Sequence, residues 1–288
     1  MPASLHILGG LVLPENGPSK NANDIAELYA LILAMATVVF LGVEGCLIWF
    51  MVRFKARRGR VAAQIHGNTR LEIGWTVGAA VILIFITVVT FIKLPGIKNP
   101  PASDIDASGN RVASATLLAS TDQTSPPKGA KLNIVVDGQQ YVWRYQYPRQ
   151  GGKEVFAYEE MVVPVGMTVT LDITADDVAH SWWIPELGGK MDAVPGYVNK
   201  TWFKADEPGL FRGQCAELCG RNHANMLAEV VALPFEEWQA WYDREAQEIN
   251  QAEEFAAKER ERLEQAEGEE ATQGTSGASA TDTDNEGE

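Results

Sequence analysis

Two long apolar runs open the chain. Residues 28–43 carry no charge, and with one interruption at Glu44 the run continues to Val52. Residues 73–92 form a second charge-free run of twenty, rich in Val, Ile and Leu. Each is long enough to cross a hydrocarbon core of ~30 Å. Neither has the layout of a cleavable signal peptide, because the first begins late and lacks a basic leading segment. The pattern predicts a transmembrane hairpin over 25–94, with helices at about 25–53 and 72–94 behind an N-terminal segment of 1–24.

The period then changes. Residues 95–130 are rich in Pro, Ser, Ala and Asp and read as a linker. From Lys131 the stretches "LNIVVDGQQYVWRYQYP", "MTVTLDITADD" and "NMLAEVVALP" alternate with period two, broken by frequent Gly and Pro. Short strands with regular turn signals predict a β-sandwich or Greek-key barrel over 131–234. From Phe235 to Glu270 the text is that of an acidic helix, with Trp238, Trp241 and Tyr242 on one face. Residues 271–288 have the composition of a disordered tail.

Charge fixes an orientation for this arrangement. The loop between the apolar runs carries Arg53, Lys55, Arg57, Arg58, Arg60 and Arg70, against Lys20 alone before the first run. The positive-inside rule makes that loop cytoplasmic. Both termini and the β domain then lie on the extracytoplasmic side of a bacterial-type inner or plasma membrane. The formal net charge is −14, and the chain from Glu236 onward holds seventeen acidic and four basic residues. The acidity therefore belongs to the tail and argues against nucleic acid as a partner.

Three cysteines are too few for a disulfide-stapled scaffold. Cys46, within an apolar helix, is expected to be a buried small hydrophobe. No CxxCH occurs, so no covalent haem is coded in this chain. What remains is "GQCAELCGRNHANM", in which Cys215, Cys219, His223 and Met226 follow at spacings of four, four and three. A disulfide suits the extracytoplasmic setting but leaves His223 and Met226 without a purpose. Zinc seldom takes a thioether, and an iron–sulfur cluster needs more thiolates or a pair of histidines. Copper accepts thiolate, imidazole and a weak methionine. Two coppers bridged by two thiolates would need a second histidine. His180, in "DDVAHSWWIPELGGKMDAVPG", is the only other histidine predicted to lie outside the cytoplasm and within the β domain.

These motifs resemble subunit II of the haem–copper cytochrome c oxidases, over about residues 24–234. "GQCAELCGRNHANM" is similar to that family's dinuclear CuA motif, and "DVAHSWWIP" to its companion histidine segment. "GQQYVWRYQYP" resembles its aromatic stretch, and "NTRLEIGWT" the start of its second helix. The resemblance implies a cupredoxin-like β domain in which Cys215 and Cys219 bridge two coppers and His180 and His223 bind one each. Met226 and the Glu217 carbonyl would be weak axial ligands, and the Glu217 side chain would help hold magnesium at the interface with subunit I. Electrons would pass from cytochrome c through CuA to the haem and CuB centres of subunit I, where O2 is reduced with proton pumping. Subunit III and membrane lipid are the other implied partners.

The same resemblance implies that Tyr141 and Trp143 lie where the electron enters, although many family members have a tryptophan at the Tyr141 position. Asp176, Asp177 and Asp192 would be acidic contacts for a basic donor, and Glu72 would stand at the mouth of a proton-uptake channel of subunit I. Glu44 has no family role and is expected to be neutral or bonded between helices. The competing reading is a membrane-tethered copper chaperone or thiol oxidoreductase, which would carry its cysteine pair on a thioredoxin-like βαβ frame.

Overall fold

The computed structural model describes residues 13–277, apart from 15, 56–58, 60, 62–63, 65, 112–128 and 151–153. Arg57, Arg58, Arg60, most of the leading segment, the middle of the linker and the last eleven residues lie outside the described set. The two apolar runs form α1 (Lys20–Arg53) and α2 (Thr69–Lys98). Both are longer than the apolar pattern indicated, because polar turns extend each helix past its hydrophobic run. Pro95 denies α2 one backbone donor. The helix nevertheless continues, and Asn99 N–H closes its last turn on the Pro95 carbonyl at 3.0 Å. At the other end Asn68 caps α2, its side chain accepting from Leu71 N–H at 3.2 Å. Glu72 returns the favour by accepting from Asn68 N–H at 3.3 Å, from one position further on than in a capping box.

The hairpin turns its apolar side chains outward. Phe40, Trp49, Val81, Phe85 and Phe91 are exposed, and so is Cys46, which corrects the expectation that it is buried. A helix whose solvent is hydrocarbon gains nothing from hiding a small apolar group inside its own chain. The two helices are tied by Lys93, whose ammonium lies 2.6 Å from Glu27 and 3.8 Å from Asp24.

The β domain has the opposite polarity. Its strands are β1 (Lys131–Gln139), β2 (Val142–Gln146), β3 (Phe156–Tyr158), β4 (Glu160–Pro164) and β5 (Thr168–Ala175). They continue as β6 (His180–Trp182), β7 (Met191–Ala193), β8 (Asn199–Lys204), β9 (Gly209–Gln214) and β10 (Leu227–Leu233). One sheet has the order β3-β2-β1-β5-β8 and another β4-β10-β9, with β6 and β7 as a separate ribbon. The pairs β1–β5 and β4–β10 are parallel, so the domain is a mixed sandwich. Period-two alternation puts Leu132, Ile134 and Val136 of β1 and Val169, Leu171 and Ile173 of β5 into one core. Trp143 and Tyr145 of β2 complete it, facing Met161 and Val163 of β4 and Val230 of β10.

The sandwich is fastened to the hairpin by strand β8. The Trp202 indole N–H donates to the Ile97 carbonyl of α2 at 3.0 Å. Its own carbonyl accepts from Asn21 Nδ2 of α1 at 3.3 Å, and both Trp202 and Asn21 are buried. Asp206 N–H adds a bond to Pro18 O at 3.3 Å.

After β10 the chain forms α3 (Phe235–Gly277), seven residues longer than expected from composition. Trp238 and Tyr242 are buried against the sandwich. Trp238 donates to Val162 O at 3.2 Å, Tyr242 to Pro148 O at 2.9 Å, and Trp241 packs on Tyr147 with ring centroids 5.2 Å apart. From Gln251 to Ala266 the helix is almost wholly exposed.

Candidate metal centre

The loop from Cys215 to Met226 closes on itself at its base, where Cys215 N–H donates to Met226 O at 2.9 Å. Two more backbone bonds stitch it to the His180 segment. Gln214 N–H donates to Trp183 O at 3.1 Å and Ala216 N–H to Ser181 O at 2.8 Å. Gly213 permits this approach, since a Cβ there would stand 1.8 Å from the Trp183 carbonyl oxygen. A short 3-10 turn, His223–Asn225, then swings His223 back over Cys219.

The predicted donors meet. The Cys215 and Cys219 sulfurs are 3.9 Å apart, far beyond the ~2.05 Å of a disulfide, and both thiols are free and buried. His180 Nδ1 lies 3.8 Å from Cys215 Sγ and His223 Nδ1 lies 3.5 Å from Cys219 Sγ. Met226 Sδ is 3.9 Å from Cys219 Sγ and wholly buried. On the other side the Cys215 thiol donates to the Glu217 backbone carbonyl at 3.3 Å, while the Glu217 side chain is exposed. Among the described residues, His180, Cys215 and Cys219 are the one group of His, Cys, Asp or Glu ligand atoms all within 4.8 Å of one another.

Each sulfur thus has its own imidazole nitrogen and its own weaker donor, a thioether on one side and a carbonyl on the other. Soft thiolates with imidazoles suit copper, and the set has too few hard or thiolate donors for calcium or an iron–sulfur cluster. Burial, and after it the neighbouring Cys215, push the Cys219 thiol up to about 11. A Cys219 thiolate at this spot therefore needs a cation to stabilise it.

Asp177, expected as a donor contact, proves to be turned toward the site. Its Oδ1 lies 2.9 Å from His180 Nε2 and also accepts from Val178 N–H at 2.6 Å. Its Oδ2 accepts from Gln140 N–H at 2.7 Å. Partial burial raises its pKa, but the hydrogen bonds from His180, Gln140 and Val178 outweigh that and hold it below the usual carboxylate range. The carboxylate fixes the His180 tautomer with its proton on Nε2, leaving the Nδ1 lone pair aimed at the sulfurs. Spacing alone carried the signal, since an acid three residues before a ligand histidine is well placed to orient it.

The other named residues lie around this centre or far from it. Trp143 is fully buried, edge-on to His180 at 5.8 Å between ring centroids. Tyr141 is half-buried, and its hydroxyl lies against Gly220 of the ligand loop. Asp176 is exposed and accepts from Gln139 Nε2 at 2.7 Å, and Asp192 is exposed on β7. Glu72 sits at the opposite end of α2, about 40 Å of helix from the sandwich.

Two membrane-type helices carrying an all-β domain with a thiol, imidazole and thioether set at one end define a membrane-anchored cupredoxin-like protein. The thioredoxin-like frame required by a thiol oxidoreductase is not what the described residues form. Comparison with known proteins narrows the class. Residues 150–233 match the family model of the cytochrome c oxidase subunit II periplasmic domain, and residues 9–92 match that of its transmembrane domain. Cytochrome c oxidase subunit 2 of Thermostichus vulcanus is 32% identical over 260 residues, covering 80% of this chain and 77% of that one. The counterpart from Alkalihalophilus pseudofirmus is 32% identical over 248 residues, covering 85% of this chain and 64% of its own length. Among solved structures, the periplasmic domain of subunit II of cytochrome oxidase of Bradyrhizobium japonicum is 34% identical. It covers 41% of this chain and 94% of its own, with a TM-score of 0.39. The chain belongs to the cytochrome c oxidase subunit II family.

Proposed function

We propose that this chain is the electron-accepting subunit of a haem–copper oxidase and that its Cys215–Met226 loop and His180 hold a dinuclear copper centre. The observation that carries the reading is the symmetry of the donors. Two unbridged thiols lie 3.9 Å apart, each with an imidazole nitrogen within 3.8 Å and a weaker donor behind it, the Glu217 carbonyl for Cys215 and the Met226 thioether for Cys219. Cys215 and Cys219 would bridge the metals, His180 and His223 would take one each, and Met226 and the Glu217 carbonyl would be the distant ligands. Copper bound here supplies a one-electron store whose charge is spread over two metals.

The chain's own contribution is rigidity. Met226, Cys215 and Cys219 are buried in the same core as the sandwich strands, so the donors have little freedom to shift when the charge changes. Asp177 holds His180, and the Trp143 indole closes the site from behind. Tyr141, at the surface of the ligand loop, is where an electron from a docked cytochrome c would arrive. Asp176 and Asp192 offer negative charge to a basic donor, an attraction that salt weakens.

The basic loop Arg53–Arg70 supports a cytoplasmic turn, with the β domain on the far side of the membrane. On that orientation Glu72 lies at the cytoplasmic end of α2, suited to a proton-uptake route of subunit I, with one carboxylate oxygen serving the Asn68 cap. The exposed Glu217 side chain is offered as a magnesium ligand against subunit I. Electron paramagnetic resonance on the purified, copper-loaded oxidase tests the centre. A multi-line hyperfine pattern from an electron shared by two coppers is expected. A single-copper spectrum, or no copper uptake, would overturn the reading.

A further inference from the structure

The turn joining β1 to β2 touches both halves of the donor set at once. Gln140 N–H donates to Asp177 Oδ2 at 2.7 Å, and Asp177 is the partner of His180 Nε2 at 2.9 Å. The Gln140 side chain crosses to the other half, where its amide Nε2 donates to the Cys219 carbonyl at 2.6 Å. A carbonyl can only accept, so the amide must present its nitrogen there.

The contact is close as well as polar. Gly220, the next residue, has φ +132°, a region that favours glycine. A Cβ on it would stand 2.7 Å from the Tyr141 hydroxyl and 2.8 Å from the Gln140 amide nitrogen. Any side chain at 220 would displace the Tyr141 hydroxyl and the Gln140 amide from the ligand loop. Further in, the strand residue Gly138 leaves room for the His180 ring, since a Cβ there would stand 3.1 Å from its Cδ2. Gln139, one residue before, makes a different bond, to Asp176, and reaches neither ligand loop.

We propose that Gln140 is the positioning residue that locks the His180 segment and the Cys215–Met226 loop to one another and to the Tyr141 turn. The role at copper rests on the function proposed above; the clamp itself rests on the hydrogen bonds alone. Its backbone fixes the carboxylate that aims His180, and its side chain fixes the peptide that follows Cys219. A shift of the turn, such as a docking partner would impose, is then felt by both ligand loops. Conversely, the position of Tyr141 depends on the ligand loop being in place.

Gln140→Met keeps length and bulk and removes only the side-chain donor, leaving the backbone bond to Asp177. The test uses the full chain within its purified oxidase and has two readouts, with Gln139→Met as the control. Amide hydrogen exchange followed by mass spectrometry should be about five- to tenfold faster across 215–222 in Gln140→Met, the factor that one lost hydrogen bond corresponds to. The copper hyperfine splitting should change in the same variant. Neither should move in Gln139→Met. Exchange across 215–222 that matches the wild type would overturn the clamp, and so would an equal change in the control. If the wild-type oxidase shows no dinuclear spectrum, the copper reading fails by itself, and the exchange comparison still decides the clamp.

Discussion

The two halves of the donor set are built in different ways. One half is a single loop: Cys215, Glu217, Cys219, His223 and Met226 lie within twelve consecutive residues, and their placement follows from short-range turns and the Cys215–Met226 closure. The other half is one side chain, His180, at the start of a three-residue strand, and everything that aims it comes from elsewhere. Asp177 orients it, Gly138 makes room for its ring, and the Gln140 turn holds Asp177. A loop that brings its own donors needs only a scaffold to stand on. A lone histidine needs a supporting shell, which is where framework residues acquire functional weight.

Substitution should separate the halves by size of effect. Cys215→Ser removes a sulfur that bridges the metals in the proposed centre, and the dinuclear hyperfine pattern should vanish altogether. A spectrum like that of the wild type would show that the loop half is not the bridging half. Asp177→Asn keeps every ligand but replaces the anionic acceptor of His180 Nε2–H with a neutral one. Copper affinity, measured by competition with a chelator, should fall about 10- to 100-fold with the two-copper pattern retained. A fall no larger than that of Asp176→Asn would return Asp177 to the status of a surface acid.

The smallest effect should come from Asp137 on β1, which belongs to the framework but not to the metal. Burial, followed by the hydrogen bond and charge of Asp176, pushes its carboxyl up to about 6. One of its oxygens is buried with no hydrogen-bond partner. A folded-state value above the unfolded one means the folded chain holds the proton more tightly. The stability this confers is full below about pH 4 and is lost as pH rises through 6. Asp137→Asn, neutral throughout, should therefore gain about 1–2 kcal/mol relative to the wild type in denaturation at pH 8 and show no gain near pH 4. The copper spectrum should not change. A gain that is the same at both pH values would mean that the carboxyl is not titrating.

The difference between the halves also explains what was legible in the sequence. Apolar runs of membrane length and period-two strands announce themselves locally, as does a Cys-Cys-His-Met loop, because each depends on neighbours in the chain. His180 was found by its chemistry and its predicted side of the membrane. The support behind it was not found: Asp177 read as a docking acid because an exposed aspartate next to another looks like surface charge. Only the fold shows its carboxylate turned inward, 37 residues from the Gln140 N–H that it accepts. Gln140 gave no sign at all, since its partner Cys219 is 79 residues away. Trp143 belonged to a recognisable aromatic stretch, but only the register of β2 puts it wholly inside, behind His180. Cys46 was misjudged because burial within one chain is the wrong measure for a helix surrounded by lipid. The end expected for α2 at about residue 94 likewise came too early, since the helix runs through Pro95 to Lys98 and closes on the bond from Asn99.

Strand β8 has a mechanical consequence. Trp202 grips α2 through its indole and α1 through its carbonyl, so a sideways push on the β domain is delivered to both helices together. The chain just after α2 adds to this brace, since Thr168 Oγ1 donates to Pro101 O at 3.0 Å and Lys204 lies 2.8 Å from Asp104. Tunnelling rates fall exponentially with gap width, and a domain swaying on a tether would sample many gaps, most of them slow. A braced domain samples few.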